Sequence, residues 1–503
     1  MQKILIFITT LFLFNTTENY GQPLYERSWG TLVPIYSRSV KPFSSVKAMV
    51  RTHLFVTEVH PKTGNLYLVG VEGDEIFEYN PAQPVPTSIY KMPEQEQGFS
   101  QIESIKFDSE NNLIITGRTA NENLATVGAY SESLIFGVAS RPTFISKIDL
   151  EGNLIWSTYF HDLNPNTSHL TIDTDNNIYI LNRRNKNTIA TPSFFQEKGD
   201  VNSIIDYQDV ISKLDANGKH IWSTFYTKDN SKIRSIVAGS NGLYIYGDHI
   251  GGSASSKYFG TPNSHQETVL GVNSSSRNAS SAFLSKFSFD GERLWSTYFG
   301  DQNSNVTLGT TLKNNNSLAV VGDEAYILTS HRRASSINQS IATEDAYLKE
   351  PQSTVTNTTV SKFSSDGKRV WSSYIDAGEH LFSNGKELFI TSSLMDGSNK
   401  NDQLPTTSNS YQRKHGGEKL DVYTSVLSLD GKTLKYASFY GYEGRDAGVT
   451  LPTENGFYII GTSDLNKKAK APFVTSNAPK SEYFENGNYY VGDFLSYFKR
   501  NKK

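Results

Sequence analysis

The chain has 503 residues, a hydrophobic content of 37%, a formal net charge of −3 and no cysteine. It is long enough for a large buried core, and its charge offers no basic footprint for nucleic acid and no polybasic membrane patch beyond the terminal FKRNKK. Without cysteine there are no disulfides, no thiol catalysis, no cysteine zinc site and no lipoprotein anchor.

In chain order, MQK, the apolar run Ile4–Phe14 and the polar NTTENYG have the n-, h- and c-region order of a secretory signal peptide over residues 1–21. Cleavage near Gly21 would leave Gln22 first. No later segment reaches the roughly 18 apolar residues of a membrane helix. Residues 22–503 are expected to form one domain.

Two kinds of hairpin then alternate. The first is a strand, a turn rich in Asn, Asp and Gly, and a strand ending in an apolar run, as in IKFDSENNLIITG, LTIDTDNNIYILN and VTLPTENGFYIIG; it occurs seven times. The second reads FLSKFSFDGERLWSTYFG at Phe283–Gly300. Its copies turn at Glu151-Gly152, Asn217-Gly218, Asp290-Gly291, Asp366-Gly367 and Asp430-Gly431, flanked by alternating β-branched and aromatic residues, which is a strong hairpin signal. EIFEYNPAQPVPTSIYKM holds the same place after the first repeat as a degenerate copy.

The last copy is split. DFLSYFKRN begins one, with Phe494 matching Phe283, and Trp29-Gly30-Thr31-Leu32-Val33 matches its missing half, Trp295–Phe299. These repeats predict an all-β fold: a seven-bladed β-propeller of four-stranded antiparallel blades, closed by an N-terminal strand at about 24–36 that pairs with the C-terminal blade. An open solenoid would need special caps rather than two complementary half-motifs.

A two-residue turn also sets register. Lys147 should face Trp156, Lys213 Trp222, Lys286 Trp295 and Lys362 Trp371, each lysine stem on an indole and its ammonium free to reach water or the π face. Where Tyr436 takes the Trp place, Val426 stands opposite; in the split copy Tyr497 faces Trp29. The other face should carry Phe287 with Leu294 and Phe283 with Tyr298. A residue repeated in almost every blade suits blade packing better than a set of sugar platforms.

Both hairpin kinds have short turns at one end of the ring. The long connections, 118–143, 183–209, 249–282, 331–358, 394–422 and 464–490, leave from the other, where binding is expected. Within them TVGAY, TPSFFQ, TPNSHQ, TEDAYL, TSNSYQ and TSNAP repeat a word beginning at Thr126, Thr191, Thr261, Thr343, Thr407 and Thr475, which suits a structural clamp.

These motifs together resemble the bacterial seven-bladed β-propeller repeat, the SBBP repeat, common in exported proteins of the Bacteroidetes. The resemblance covers about 50–500. It implies a propeller and an envelope or extracellular setting, and no particular activity.

No catalytic, cofactor-binding or metal residue is assigned, and no cofactor is expected. DTDNN at 173–177 opens like a calcium loop, but Ile178 and Arg184 stand where its glycine and final acid belong. Asp162, Asp301, Asp376 and Asp446 follow the Trp motif and suit Asx turns as well as calcium. His265 and His415 lie near acids in long loops and would suit acid–base chemistry only with a partner in reach. There is no HExxH, GxSxG or P-loop. The expected function is a monomeric, exported, non-enzymatic module, periplasmic or extracellular, binding a protein or glycan of the cell envelope. The alternative is a secreted hydrolase or lyase acting on polysaccharide or peptide over the central channel.

Overall fold

The computed structural model describes residues 23–33, 56–93 except 71, 100–134, 142–160, 170–250 except 189, 204 and 230, 257–269, 280–300, 304–307, 316–333, 341–350, 356–395, 404–416, 420–466 except 443, 473–476 except 474, 484–486 and 489–501. The expected signal peptide lies outside them. Every element is a β-strand. β1 (Tyr25–Val33) stands apart in sequence from the first repeat, β2 (Thr57–Val59), β3 (Leu66–Val69), β4 (Glu75–Asn80) and β5 (Gln83–Lys91). The next blades are β6 (Ser100–Phe107) to β9 (Leu154–Phe160), with β7 (Leu113–Thr119) and β8 (Thr143–Ile148) between; β10 (Leu170–Ile172), β11 (Ile178–Asn185), β12 (Tyr207–Leu214) and β13 (His220–Phe225); and β14 (Lys232–Ala238), β15 (Leu243–Ile250), β16 (Ser280–Phe287) and β17 (Arg293–Phe299).

A fifth sheet orders β18 (Ser304–Thr307), β20 (Glu324–Arg333), β21 (Thr356–Phe363) and β22 (Arg369–Ile375), with β19 (Leu318–Val321) also paired to β20. The remaining strands are β23 (His380–Ser383), β24 (Glu387–Met395), β25 (Leu420–Ser428), β26 (Leu434–Tyr440), β27 (Arg445–Pro452), β28 (Gly456–Asn466), β29 (Phe484–Asn486) and β30 (Tyr489–Arg500).

The fold is an all-β propeller of antiparallel, four-stranded blades, but the expected division into seven blades is corrected to five. Five sheets stand alone, and the rest of the chain forms one nine-stranded sheet in the order β1-β30-β28-β27-β25-β24-β23, with β26 on β25 and β29 on β30. A parallel bridge between Leu420 and Arg445 makes the join. There β27 starts beside the first residue of β25, so the sheet does not end as the others do.

β1 pairs antiparallel with β30, placing Trp29 opposite Tyr497 and Leu32 opposite Phe494. The other facing pairs are those counted from the turns: Lys147 faces Trp156, Lys213 Trp222, Lys286 Trp295 and Lys362 Trp371, and Val426 faces Tyr436 across a turn one residue longer. Phe283 faces Tyr298, but Phe287 faces Arg293. A bulge after Lys286 inserts one residue and turns Leu294 outward, 50% exposed. The same bulge leaves Ile155, Ile221 and Val370 exposed in other copies.

Hydrophobic clusters form between neighbouring blades: Tyr179 and Trp222 pack with Ile236 and Phe283 of the next sheet. Each indole also reaches across the gap. Trp156 donates to the Ala216 carbonyl at 3.1 Å, Trp222 to Phe289 at 3.3 Å, Trp295 to Ser365 at 2.8 Å, Trp371 to Leu429 at 3.1 Å, and Trp29 to Pro81 at 2.9 Å. Trp29 thus ties the closing strand to the first blade. The turn glycine belongs to the same contact: Gly218 has φ +77°, and a Cβ there would come within 2.7 Å of the Trp156 ring. The motif is blade packing.

Candidate functional site

The lysine of the motif is buried in three copies and half-buried at Lys362, and its ammonium is engaged in each. Lys147 pairs with Asp108 at 2.8 Å, Lys286 with Asp323 at 2.7 Å and Lys362 with Glu324 at 2.7 Å, while Lys213 donates to the Phe289 carbonyl at 3.0 Å. The π face it meets is a tyrosine on the adjoining strand, not the facing indole: Lys286 lies 5.2 Å from the Tyr244 centroid and Lys362 5.6 Å from that of Tyr326. Serines flanking the pair form buried bridges, Ser285 to Ser296 at 2.6 Å and Ser212 to Ser223 at 2.7 Å. The recurring Ser-Lys and Trp-Ser words were the available signal for these bridges.

The loop word is an edge clamp. Thr126 N donates to the Ser157 carbonyl at 2.9 Å and Ser157 N returns a bond to Thr126 Oγ1 at 3.2 Å. The same exchange joins Thr191 to Ser223, Thr261 to Ser296, Thr343 to Ser372, Thr407 to Ala437 and Thr475 to Gly30. A few residues on, Gln196, Gln266 and Gln412 accept from Phe225, Tyr298 and Phe439. These stretches pair with six outer strands, β9, β13, β17, β22, β26 and β1, edges that would otherwise be open. The described parts of the long connections therefore line the perimeter, which leaves the two innermost strands and the channel as the place for a site.

The first strands of the repeats, β2, β6, β10, β14, β19, β23 and β27, line a central channel of about 820 Å³. Glu58 and Lys106 form a close ion pair inside it, and Lys386 pairs with Glu454 at 3.0 Å at the short-turn mouth. Burial raises the Glu58 carboxyl, opposed by Lys106.

At the long-loop end, bulges in β6 and β14 displace Glu103 and Arg234 from the ladder. Glu103 meets Arg118 at the end of β7, and Arg234 Nη2 reaches Asp248 Oδ2 of β15 at 3.2 Å. Between them, Arg183 Nε binds Asp209 Oδ1 at 2.8 Å, and Asp209 Oδ2 accepts from Ile233 N at 2.7 Å. Three consecutive blades thus each hold an arginine–carboxylate pair, of which Glu103 lines the channel. Next to them His249 Nε2 lies 3.4 Å from Asp229 Oδ2, and Asp200 Oδ2 accepts from Asp229 N at 2.8 Å. Burial pushes the His249 pKa down, and Asp229 opposes it.

Of the histidines and acids singled out in the sequence, the structure brings His415 near Asp421, at the start of β25, and joins none of the other described ones into one site. His265 packs near Phe299 and Phe363, and burial, with Arg369 and Lys368, drives its pKa down to about 4. His415 is buried 3.8 Å from Asp421, beyond hydrogen-bond reach. Asp376 accepts from Tyr347 at 3.1 Å and Asp446 from Tyr442 N at 2.6 Å; Asp162 and Asp301 lie outside the described residues. Asp173 accepts from Asp175 N, Asn177 N and the Tyr179 hydroxyl, so DTDNN is a turn whose carboxylate is already engaged. Among the described residues no three His, Asp or Glu form a metal cluster, and no helix is long and apolar enough to cross a membrane.

No family model and no curated protein matches this chain. Solved structures share the propeller. The Dos1 propeller has 11% identity and a TM-score of 0.37, over 95% of this chain and 96% of that one. A quinohemoprotein alcohol dehydrogenase from Comamonas testosteroni has 9% identity and a TM-score of 0.38; the match covers 88% of this chain and 66% of the dehydrogenase, just under two thirds of it. An ulvan lyase of a polysaccharide lyase family has 10% identity and a TM-score of 0.39, over 94% of both chains. Likenesses at this level carry no functional argument.

Proposed function

We propose that the chain is an exported, monomeric, non-enzymatic binding module of the SBBP-repeat kind, which holds a protein or glycan of the bacterial envelope at its long-loop side. One observation carries the reading: three consecutive blades each hold an arginine–carboxylate pair toward the long-loop end, Glu103–Arg118 and Arg234–Asp248 on the two innermost strands and Arg183–Asp209 on the second and third. Charges already paired and held on the sheet suit recognition, because they offer oriented donors and acceptors at little ordering cost. The test is binding of purified protein to isolated envelope polysaccharide and envelope protein on a sensor surface. Arg234→Gln, folded as judged by its melting curve, should lose most of the signal; unchanged binding would sink the proposal.

A hydrolase or lyase is the second reading, favoured by His249 beside Asp229 with Asp200 in contact. Release of new reducing ends or peptides by the native protein, abolished in His249→Gln, would support it over the first.

A further inference from the structure

The channel is a second place where ligand chemistry gathers; of the loop-side pairs only Glu103 reaches its lining. One level of it is set by register with the second strands: Glu58 opposite Tyr67, Lys106 opposite Ile114, Thr171 opposite Tyr179, then Val237 opposite Tyr244, Phe382 opposite Phe389 and Leu451 opposite Tyr458. All six line the cavity. The level is therefore amphipathic in cross-section: three adjoining strands contribute hydrogen-bonding groups, and strands farther round the ring contribute apolar ones.

Charge narrows the ligand. Lys106 is closed by Glu58 and Lys386 by Glu454, so these channel lysines offer no uncompensated cation to a phosphate, sulfate or uronate. The Glu58 and Lys106 side chains keep 22% and 39% exposure and still present donor and acceptor atoms to the cavity. A volume of about 820 Å³ is within the range of small-ligand pockets. The ligand that is hydroxylated on one side, apolar on the other and uncharged is a pyranose: its C–H face packs on an aromatic ring while its hydroxyls bond to charged pairs.

We propose that the central channel binds a neutral oligosaccharide, with Phe382 against a sugar face and the Glu58–Lys106 pair bonding its hydroxyls. This rests on the chain being a binding module and places a further site inside it. The test uses the full chain on an array of neutral, uronate-containing and sulfated oligosaccharides together with extended peptides, followed by calorimetry with the best neutral probe. Phe382→Ala and Glu58→Gln should each weaken that probe at least tenfold, and Val370→Ala, at an exposed site away from the channel lining, should leave it unchanged. In the unaltered protein, the probe should slow hydrogen exchange in residues 103–107, a readout that stands if a channel variant fails to fold. Recognition of only anionic sugars or only peptides, or no neutral probe bound, overturns the proposal. Binding lost in Arg234→Gln but kept in Phe382→Ala overturns it while leaving the binding-module reading intact; binding of no probe at all removes both.

Discussion

Removing β1 should unmake the whole ring and not merely fray one end. The strand buries Tyr25, Trp29, Leu32 and Val33, and it covers the outer edge of β30. At about 1.5–3 kcal/mol for each large apolar side chain, these four contribute on the order of 6–12 kcal/mol. The loss also deprives Pro81 of its indole donor and Thr475 of its clamp on Gly30. Since domain stabilities are about 5–15 kcal/mol, a chain starting at Arg38 should be unfolded or melt far below one starting at Gln22. A synthetic peptide of residues 23–33, added in trans, should restore the native melting curve in a concentration-dependent way, as a ligand of the folded state does. Calorimetry and far-ultraviolet circular dichroism read both effects. Melting of the shortened chain within about 2 °C of the longer one would refute the closure argument, as would a peptide without effect.

Glu387 provides a second test of closure, because its carboxylate binds Arg500 at 3.0 and 3.1 Å and Lys435 at 3.0 Å. Burial works against ionisation there, but Lys435 and Arg500 outweigh it and hold the pKa below the usual glutamate value. A depressed folded pKa stabilises above the unfolded pKa of about 4.3 and loses that contribution as pH falls through the folded value. Glu387→Gln should therefore cost about 1–3 kcal/mol at pH 7, less than a fully buried pair because both cations are about one third exposed, and should converge with the native protein in acid denaturation. Gly218→Ala, strained by its φ and by contact with Trp156, should destabilise by about 1–3 kcal/mol, whereas Ile155→Ala at an exposed site should stay within about 0.5 kcal/mol. Lys286→Met leaves Asp323 without its ammonium and should cost about 2–4 kcal/mol by urea titration. Added calcium should not raise the melting temperature through Asp173, whose oxygens already accept hydrogen bonds.

The turn chemistry by itself determined the facing of Lys286 and Trp295 and of Trp29 and Tyr497. Strand alternation has a period of two, and a short turn pins its phase, so these pairings depend on few residues and can be counted along the chain. The loop word was legible as a clamp for a related reason: the same threonine recurs wherever the same outer strand must be covered. The bulge was not legible. Leu294 is apolar and in phase, yet the register shift after Lys286 leaves it outside the ladder and exposed. Nor could the lysine's partners be read, since Asp323 comes from another blade and Tyr244 from another strand. Whether a sheet ends is likewise a matter of contact between edges: the bridge from Leu420 to Arg445 fuses what the repeat had separated. The candidate sites follow the same division. Glu58, Lys106, Phe382, Arg183 and Arg234 are not residues that the repeat keeps from copy to copy, and each becomes part of a site only when strands far apart in sequence are drawn round one axis. Local backbone geometry determined the strands and their pairing, and only closure of the ring decided which unrepeated side chains would meet.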